Sequence, residues 1–323
     1  MEEGIRMLLS KPKILVYSPD PGESEIYADF IRKSGYLSVH AASTADKAGR
    51  LLEDTEVLLC WKFPIHELEI PSSLKWIQSM GAGVNDWVTF SNLPENIQLT
   101  RIVGQFGSAI SEYVFSYLLY LAKDMPRLIR SQEQHAWAPF LTDFLKNKTI
   151  GIAGIGSIGQ DIIRKARAFD MKIYGLSYTG KSADLVDCHF NSSEWKAFVK
   201  ELDYLILTLP LTAQTKGIIN RDLLLGMKSD ACLVNVGRGQ LIQEQDLLDV
   251  LRDGHLRAAV LDVFEQEPLV ESHAFWDTPN VYVTPHLSGP SIPEDVCRFF
   301  LENLRKYLAG DPLEGRVNLK NGY

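Results

Sequence analysis

Apolar positions fall along this chain in two alternating patterns. Short, mostly apolar runs stand at 14–17, 57–61, 172–176, 204–209, 231–236 and 258–263. Between them, at 23–33, 44–53 and 244–252 for example, apolar residues recur at helical spacing. The runs read as strands buried on both faces, and the longer stretches as helices packed over them. Further strand candidates stand at 37–40, 74–79, 98–102 and 281–283. A longer helical pattern covers 108–122, with 125–130 extending it past Pro126, and an amphipathic helix covers 294–308. Alternation of this kind predicts an α/β fold with parallel strands. The helical stretch from 108 marks a boundary, so two units are expected, the second built on a doubly wound sheet.

Composition narrows the class. At 323 residues and 46% hydrophobic, each half can bury its own core. A net charge of −8 argues against a sequence-independent grip on nucleic acid. Cys60, Cys188, Cys232 and Cys297 are scattered and lack metal-ligand spacing. They predict buried or inert thiols in a reducing compartment, and no metal is expected. The most apolar stretch, 113–122, is too short for a membrane span, and residues 1–10 lack the apolar core of a signal peptide. The expectation is a soluble cytoplasmic protein.

One segment carries the strongest chemical signal. In the stretch that begins Lys148-Thr149-Ile150-Gly151-Ile152-Ala153, a short apolar run that reads as a strand feeds directly into Gly154-Ile155-Gly156-Ser157-Ile158-Gly159, and a helical pattern follows at once. In that setting the first glycine makes a tight turn, the second lets backbone approach a pyrophosphate, and the third packs helix against strand. The helix N-terminus then offers N–H groups and a positive dipole end to the phosphates. A dinucleotide is the expected ligand.

Ligands of open α/β sheets bind beyond the carboxyl ends of the strands. The later strand candidates are followed by Pro210-Leu211-Thr212, Gly237-Arg238-Gly239, Phe264-Glu265-Gln266-Glu267-Pro268 and Thr284-Pro285-His286. An arginine, a glutamate and a histidine thus fall on the same edge as the glycine turn. Histidine suits proton transfer near neutral pH, and a carboxylate such as Glu267 would orient its ring. Arginine presents a planar fork to a carboxylate. With a nicotinamide cofactor the set suits interconversion of a 2-hydroxy acid and its 2-oxo acid. Taken singly, each residue has an ordinary explanation: a surface histidine, an arginine capping a turn, a solvated acidic loop. Joint placement makes the case.

At these residues the sequence resembles the D-isomer-specific 2-hydroxyacid dehydrogenase family. The resemblance runs through the glycine turn, Leu209-Pro210-Leu211-Thr212, Asn235-Val236-Gly237-Arg238-Gly239, the stretch from Leu261 to Leu269 and Thr284-Pro285-His286. Gly81-Ala82-Gly83-Val84 and Ser111-Glu112-Tyr113-Val114 match more weakly. The resemblance implies two Rossmann-like or flavodoxin-like domains, with a dinucleotide-binding domain (104–287) inserted into a substrate domain (1–103 plus 288–323). Arg238 would hold the substrate, His286 would be the general acid/base with Glu267 as partner, and backbone at Ala82, Gly83 and Val84 would help hold the substrate carboxylate. Asp262 would touch the nicotinamide carboxamide. The cofactor-binding set it implies comprises Gly154, Gly156, Ser157, Ile158, Gly159, Ser177, Lys181, Leu209, Pro210, Thr215, Val236, Gly237, Arg238, Asp262, His286, Ser288 and Gly289. Members of the family usually form dimers through the cofactor domain. The arm of that dimer would come from 108–130, and Trp137 is a candidate to reach a partner's site.

One departure bears on the cofactor. An NAD-specific unit usually places Asp or Glu at the end of its second strand to hold the ribose hydroxyls. No acidic residue occurs from Met171 to Ala183, where Ser177 and Lys181 stand instead. The segment is similar to the matching turn of NADP-using glyoxylate/hydroxypyruvate reductases, so NADP is favoured, with NAD as the alternative. The expected activity is reduction of a small 2-oxo acid to a D-2-hydroxy acid, and the reverse oxidation. The alternatives are a short-form D-3-phosphoglycerate dehydrogenase and a non-enzymatic NAD(H)-sensing protein like the corepressors that share this fold.

Overall fold

Two compact units make up the chain: Met1–Gln105 with Ser291–Tyr323, and Phe106–Pro290. The computed structural model describes residues 12–319 apart from 89, 91, 92 and 95.

In the first unit, strands β1 (Ile14–Tyr17), β2 (Val39–Ala42), β3 (Val57–Cys60), β4 (Trp76–Ser79) and β5 (Gln98–Thr100) form one sheet in the order β2-β1-β3-β4-β5. All neighbours are parallel. Every residue of β1 and β3 is buried, as central strands covered on both faces require. Helices α1 (Pro21–Lys33), α2 (Ala45–Leu52) and α3 (Asn85–Val88) belong here. Helix α1 starts where the Asp20 carboxylate accepts the N–H groups of Gly22 and Glu23, with Pro21 in the first turn. Strand β2 lies two residues beyond the expected 37–40. Leu37, which suggested a strand, is 81% exposed, whereas Val39, Ala41 and Ala42 are buried.

The helix Pro293–Ala309 returns to this unit. Trp76 stacks on its Phe300 and Tyr307 at 5.2 and 5.4 Å between centroids. A buried polar network joins them: Gln78 Oε1 accepts from Thr100 Oγ1 (2.8 Å) and Asn303 Nδ2 (3.2 Å), and Trp76 Nε1 donates to Thr100 Oγ1 (2.7 Å). Mutual satisfaction explains how three polar side chains sit in an apolar core.

The second unit begins with α4 (Gly107–Ala122) and α5 (Met125–Glu133). These are separate helices, not the single extended one expected. Asp124 takes a left-handed conformation (φ 46°) between them, and the proline lies in the first turn of α5, where its missing N–H costs nothing. The sheet follows: β6 (Thr149–Ala153), β7 (Lys172–Leu176), β8 (Cys188–Phe190), β9 (Tyr204–Leu207), β10 (Cys232–Asn235), β11 (Ala258–Leu261) and β12 (Val281–Val283). Their order is β12-β11-β10-β9-β6-β7-β8, with every pair parallel. The chain runs outward from β6 to β8, crosses back, and runs outward the other way from β9. Its topological switch point therefore lies between β6 and β9. Helices α6 (Ser157–Ala168), α7 (Trp195–Val199), α8 (Arg221–Leu225) and α9 (Glu244–Arg252) connect the strands. β8, α7 and α8 are absent from the sequence pattern because elements this short hold too few residues to show a period.

Helix α4 packs on α6 through stacked Phe115 and Phe169 and a 2.9 Å bond from Lys165 Nζ to Ser111 Oγ. No helix among the described residues is long and apolar enough to cross a membrane.

Candidate active site

The glycine turn sits at the switch point. Gly154 has φ +108°, and a Cβ there would press on Thr208 at the end of β9. Thr208 Oγ1 donates to the Gly154 carbonyl at 2.7 Å, fastening the turn to the neighbouring strand. A Cβ on Gly159 would fall onto the carbonyl oxygen of Gly154, so only glycine lets α6 start this close to β6. Beside Gly156, by contrast, a Cβ would meet nothing within 4 Å. No side chain caps α6, which leaves the first N–H groups at Ser157 and Ile158 facing that space. Room and backbone donors together suit a diphosphate.

At the end of β7, Ser177 follows Leu176, and its Oγ lies 2.8 Å from His189 Nε2 on β8. Lys181 is exposed in the loop beyond, and Gln160 Nε2 of α6 donates to Ser182 Oγ at 3.1 Å.

The ends of β10, β11 and β12 build the second part of the site. Asn235, fully buried, shapes the turn after β10: its Oδ1 accepts from Gly237 N (3.1 Å) and its Nδ2 donates to Arg238 O (2.9 Å). The half-buried Arg238 side chain donates from Nη1 to the Gly237 carbonyl at 2.6 Å. Gly239 then lies directly against the backbone of Phe264 and Glu265, where any Cβ would collide. This contact brings the arginine turn against the loop that carries Glu267.

Glu267 bridges two groups. Its Oε1 accepts from Phe264 N at 3.2 Å, and its Oε2 lies 2.8 Å from His286 Nδ1. A carboxylate on Nδ1 leaves Nε2 as the nitrogen for proton exchange with a substrate. His286 itself is held in the left-handed region (φ 51°), its N–H donating toward Asp262 O and Thr284 O.

Asp262 organises this loop from below. It is fully buried, and its oxygens accept from Thr284 Oγ1 (2.6 Å), Leu287 N (2.9 Å) and Ser288 N (3.0 Å). Tyr113 of α4 adds a 2.7 Å bond to Thr284 Oγ1. Burial raises the Tyr113 phenol well above the ordinary tyrosine value, against a smaller lowering by the Thr284 bond, so it stays neutral.

A model of the family described as "D-isomer specific 2-hydroxyacid dehydrogenase, NAD binding domain" matches residues 115–288. The chain belongs to this family. Glyoxylate/hydroxypyruvate reductase A of Serratia proteamaculans is 30% identical over 316 residues, 96% of this chain and 99% of that protein. Two solved structures are similar throughout. One is an NADPH-dependent glyoxylate/hydroxypyruvate reductase from Sinorhizobium meliloti in complex with NADP and sulfate, 30% identical, with a TM-score of 0.86 over 96% of this chain and 99% of that one. The other is a D-isomer specific 2-hydroxyacid dehydrogenase from Xanthobacter autotrophicus in complex with NADPH and MES, 29% identical, with a TM-score of 0.87 over 97% and 100%.

Asp262, expected from the resemblance to touch the nicotinamide carboxamide, is fully buried, and its three bonds to 284–288 anchor the His286 loop. Thr215 Oγ1 donates to Pro210 O (2.8 Å) and accepts from Thr212 N (2.8 Å), closing the turn after β9 in which Leu209 and Pro210 lie. Val236 and Ser288 are buried, and Gly289 packs near Ile110 of α4. In the first unit, Ala82, Gly83 and Val84 follow β4 in a loop shaped by Ser79, whose Oγ accepts from Gly81 N at 3.2 Å. Arg101 Nη1 donates to Ala82 O at 3.3 Å. Burial lowers the pKa of Arg101. Phe63 belongs to the core: it is 6% exposed and stacks on Trp87. The sequence reading gave no role to Asn235, Thr208, Thr284, Arg101 or His189, because nothing about a lone polar residue says what it bonds to.

Replacing Asp262 with Ala removes a buried acceptor and strands the N–H groups of Leu287 and Ser288. The expected cost is about 3 kcal/mol of stability, read as a lowered urea midpoint. A change below about 0.5 kcal/mol would contradict the anchoring role.

Proposed function

We propose that this dehydrogenase reduces a small 2-oxo acid, of the glyoxylate or hydroxypyruvate kind, to the D-2-hydroxy acid, with NADPH as reductant. The observation that carries the reading is the 2.8 Å Glu267–His286 pair, on the same sheet edge as Arg238 and the glycine turn. When bound, the nicotinamide supplies the hydride taken up by the substrate's carbonyl carbon. Arg238 pairs with the substrate carboxylate and polarises the carbonyl through its planar fork. His286 gives its Nε2 proton to the carbonyl oxygen as negative charge develops there, and Glu267 orients the ring and stabilises its protonated form before the transfer. In the reverse direction the same Nε2 takes the proton back. Backbone at Ala82, Gly83 and Val84 is assigned to the substrate carboxylate.

Ser157, Ile158 and the glycines hold the diphosphate. NADP is favoured over NAD because no carboxylate stands from Met171 to Ala183 to repel a 2′-phosphate, while Ser177 and Lys181 offer a hydroxyl and a cation. The two solved structures described above hold NADPH and NADP, which supports the same choice. An exposed lysine beside a phosphate contributes about 1 kcal/mol, so Lys181→Ala should weaken NADPH binding about fivefold and leave NADH nearly unchanged. Equal loss for both cofactors in a fluorescence titration would remove Lys181 from the phosphate site.

The partner expected is a second copy of the chain, joined through the cofactor domain. Just beyond the 108–130 arm, Trp137 (97%), Leu141 (100%) and Phe144 (65%) are exposed, an apolar surface of the kind that association covers. Work in the cytoplasm fits the free thiols Cys60, Cys232 and Cys297, all buried; burial pushes the Cys232 thiol up to about 12.

Stereochemistry tests the reading directly. Incubation with NADPH and hydroxypyruvate should yield D-glycerate on chiral chromatography. The L-enantiomer would contradict the assigned geometry.

A further inference from the structure

The end of β7 holds a residue that the nucleotide reading leaves without a role. His189, the middle residue of edge strand β8, stands opposite Gly175 in the parallel register. A side chain at Gly175 would meet Ile155 of the glycine turn, so directly opposed His189 lies on the face of the sheet that carries that turn. The next residue, Phe190, alternates to the other face and packs on Tyr174 and Phe198 in the core. His189 is thus the one residue of this short strand turned to the nucleotide side with a polar ring, and it is only half-buried. Its Nε2 lies 2.8 Å from Ser177 Oγ. Gly180 (φ +66°) turns the following loop across the ring, coming near His189 Cε1.

By the strand-end rule, the residue after β7 is where a dinucleotide's adenosine ribose is recognised. Resting on the NADP reading, we propose that His189 is a specificity residue for the 2′-phosphate, acting together with Ser177. With a proton on Nε2, the imidazole donates to a lone pair of Ser177 Oγ, and the hydroxyl must then direct its own proton elsewhere. A phosphate monoester accepts that proton strongly; a ribose hydroxyl gains much less from it. The pair supplies a hydroxyl donor where an NAD-specific enzyme keeps a carboxylate.

Calorimetric titration of the full chain with adenosine 2′,5′-bisphosphate and with 5′-AMP isolates the contribution of the 2′-phosphate without turnover. The wild type should prefer the bisphosphate by about tenfold or more. His189→Ala and His189→Leu should each reduce that preference to about threefold or less. Their unchanged affinity for 5′-AMP would show that the nucleotide fold survives. In the wild type, NMR signals of the His189 ring should shift with the bisphosphate and not with 5′-AMP. A preference that survives both substitutions, or ring signals indifferent to the bisphosphate, overturns the role of His189 and leaves the NADP reading standing. A wild type with no preference for the bisphosphate overturns both.

Discussion

Changing His286 to Ala should lower kcat by roughly two to four orders of magnitude, the usual contribution of a placed general acid. The geometry gives the reason. Nδ1 faces Glu267 at 2.8 Å, so the ring presents Nε2, and no other imidazole stands at the end of β12 to replace it. Nucleotide affinity should change little, because the glycine turn is built from β6, α6 and Thr208 without any contribution from His286. Parallel measurement of kcat and of NADPH binding by fluorescence checks both halves of this expectation. Unchanged turnover would remove His286 from the reaction, whereas lost nucleotide binding would show that the substitution had disturbed the fold.

Arg238 should be nearly as sensitive, with the loss divided differently. Arg238→Gln removes the charge and the bidentate fork while leaving the turn that Asn235 and Gly237 form. Two charge-assisted bonds are together worth about 4 kcal/mol, so kcat/KM should fall about a thousandfold, with KM rising and kcat falling. Arg238→Lys should rescue little, since a point charge cannot reproduce a fork held by its bond to Gly237 O. Steady-state kinetics on the two variants provides the check. A lysine variant close to wild type would mean that the residue supplies charge alone.

The fold was legible because its buried parallel strands leave an unmistakable trace. β1, β3, β6, β9, β10 and β11 are buried along their whole length, so each appears as a short, mostly apolar run. The trace fails where burial is partial. β8 is half-buried throughout, and Leu37 is an exposed apolar residue that drew the expected strand away from Val39–Ala42. Strand ends were legible for a related reason: in a parallel sheet all of them point the same way, so Arg238, Glu267 and His286 could be placed on one edge by order alone. What order could not reveal was the polar scaffolding. Nothing in the sequence around Asp262 shows that its carboxylate anchors a loop; its burial and its bonds to Thr284, Leu287 and Ser288 emerge only in the fold. His189 was invisible too: its partner Ser177 is distant in sequence and meets it only through the pairing of β7 with β8.

The most direct test is the loss of absorbance at 340 nm when NADPH, and separately NADH, meets glyoxylate, hydroxypyruvate, pyruvate and bulkier 2-oxo acids. The account predicts fast oxidation of NADPH with glyoxylate or hydroxypyruvate, slower oxidation of NADH, and little activity on the bulkier acids. Silence with every acid and both cofactors, while the nucleotides still bind, would contradict it and leave a nucleotide-binding protein without the proposed chemistry.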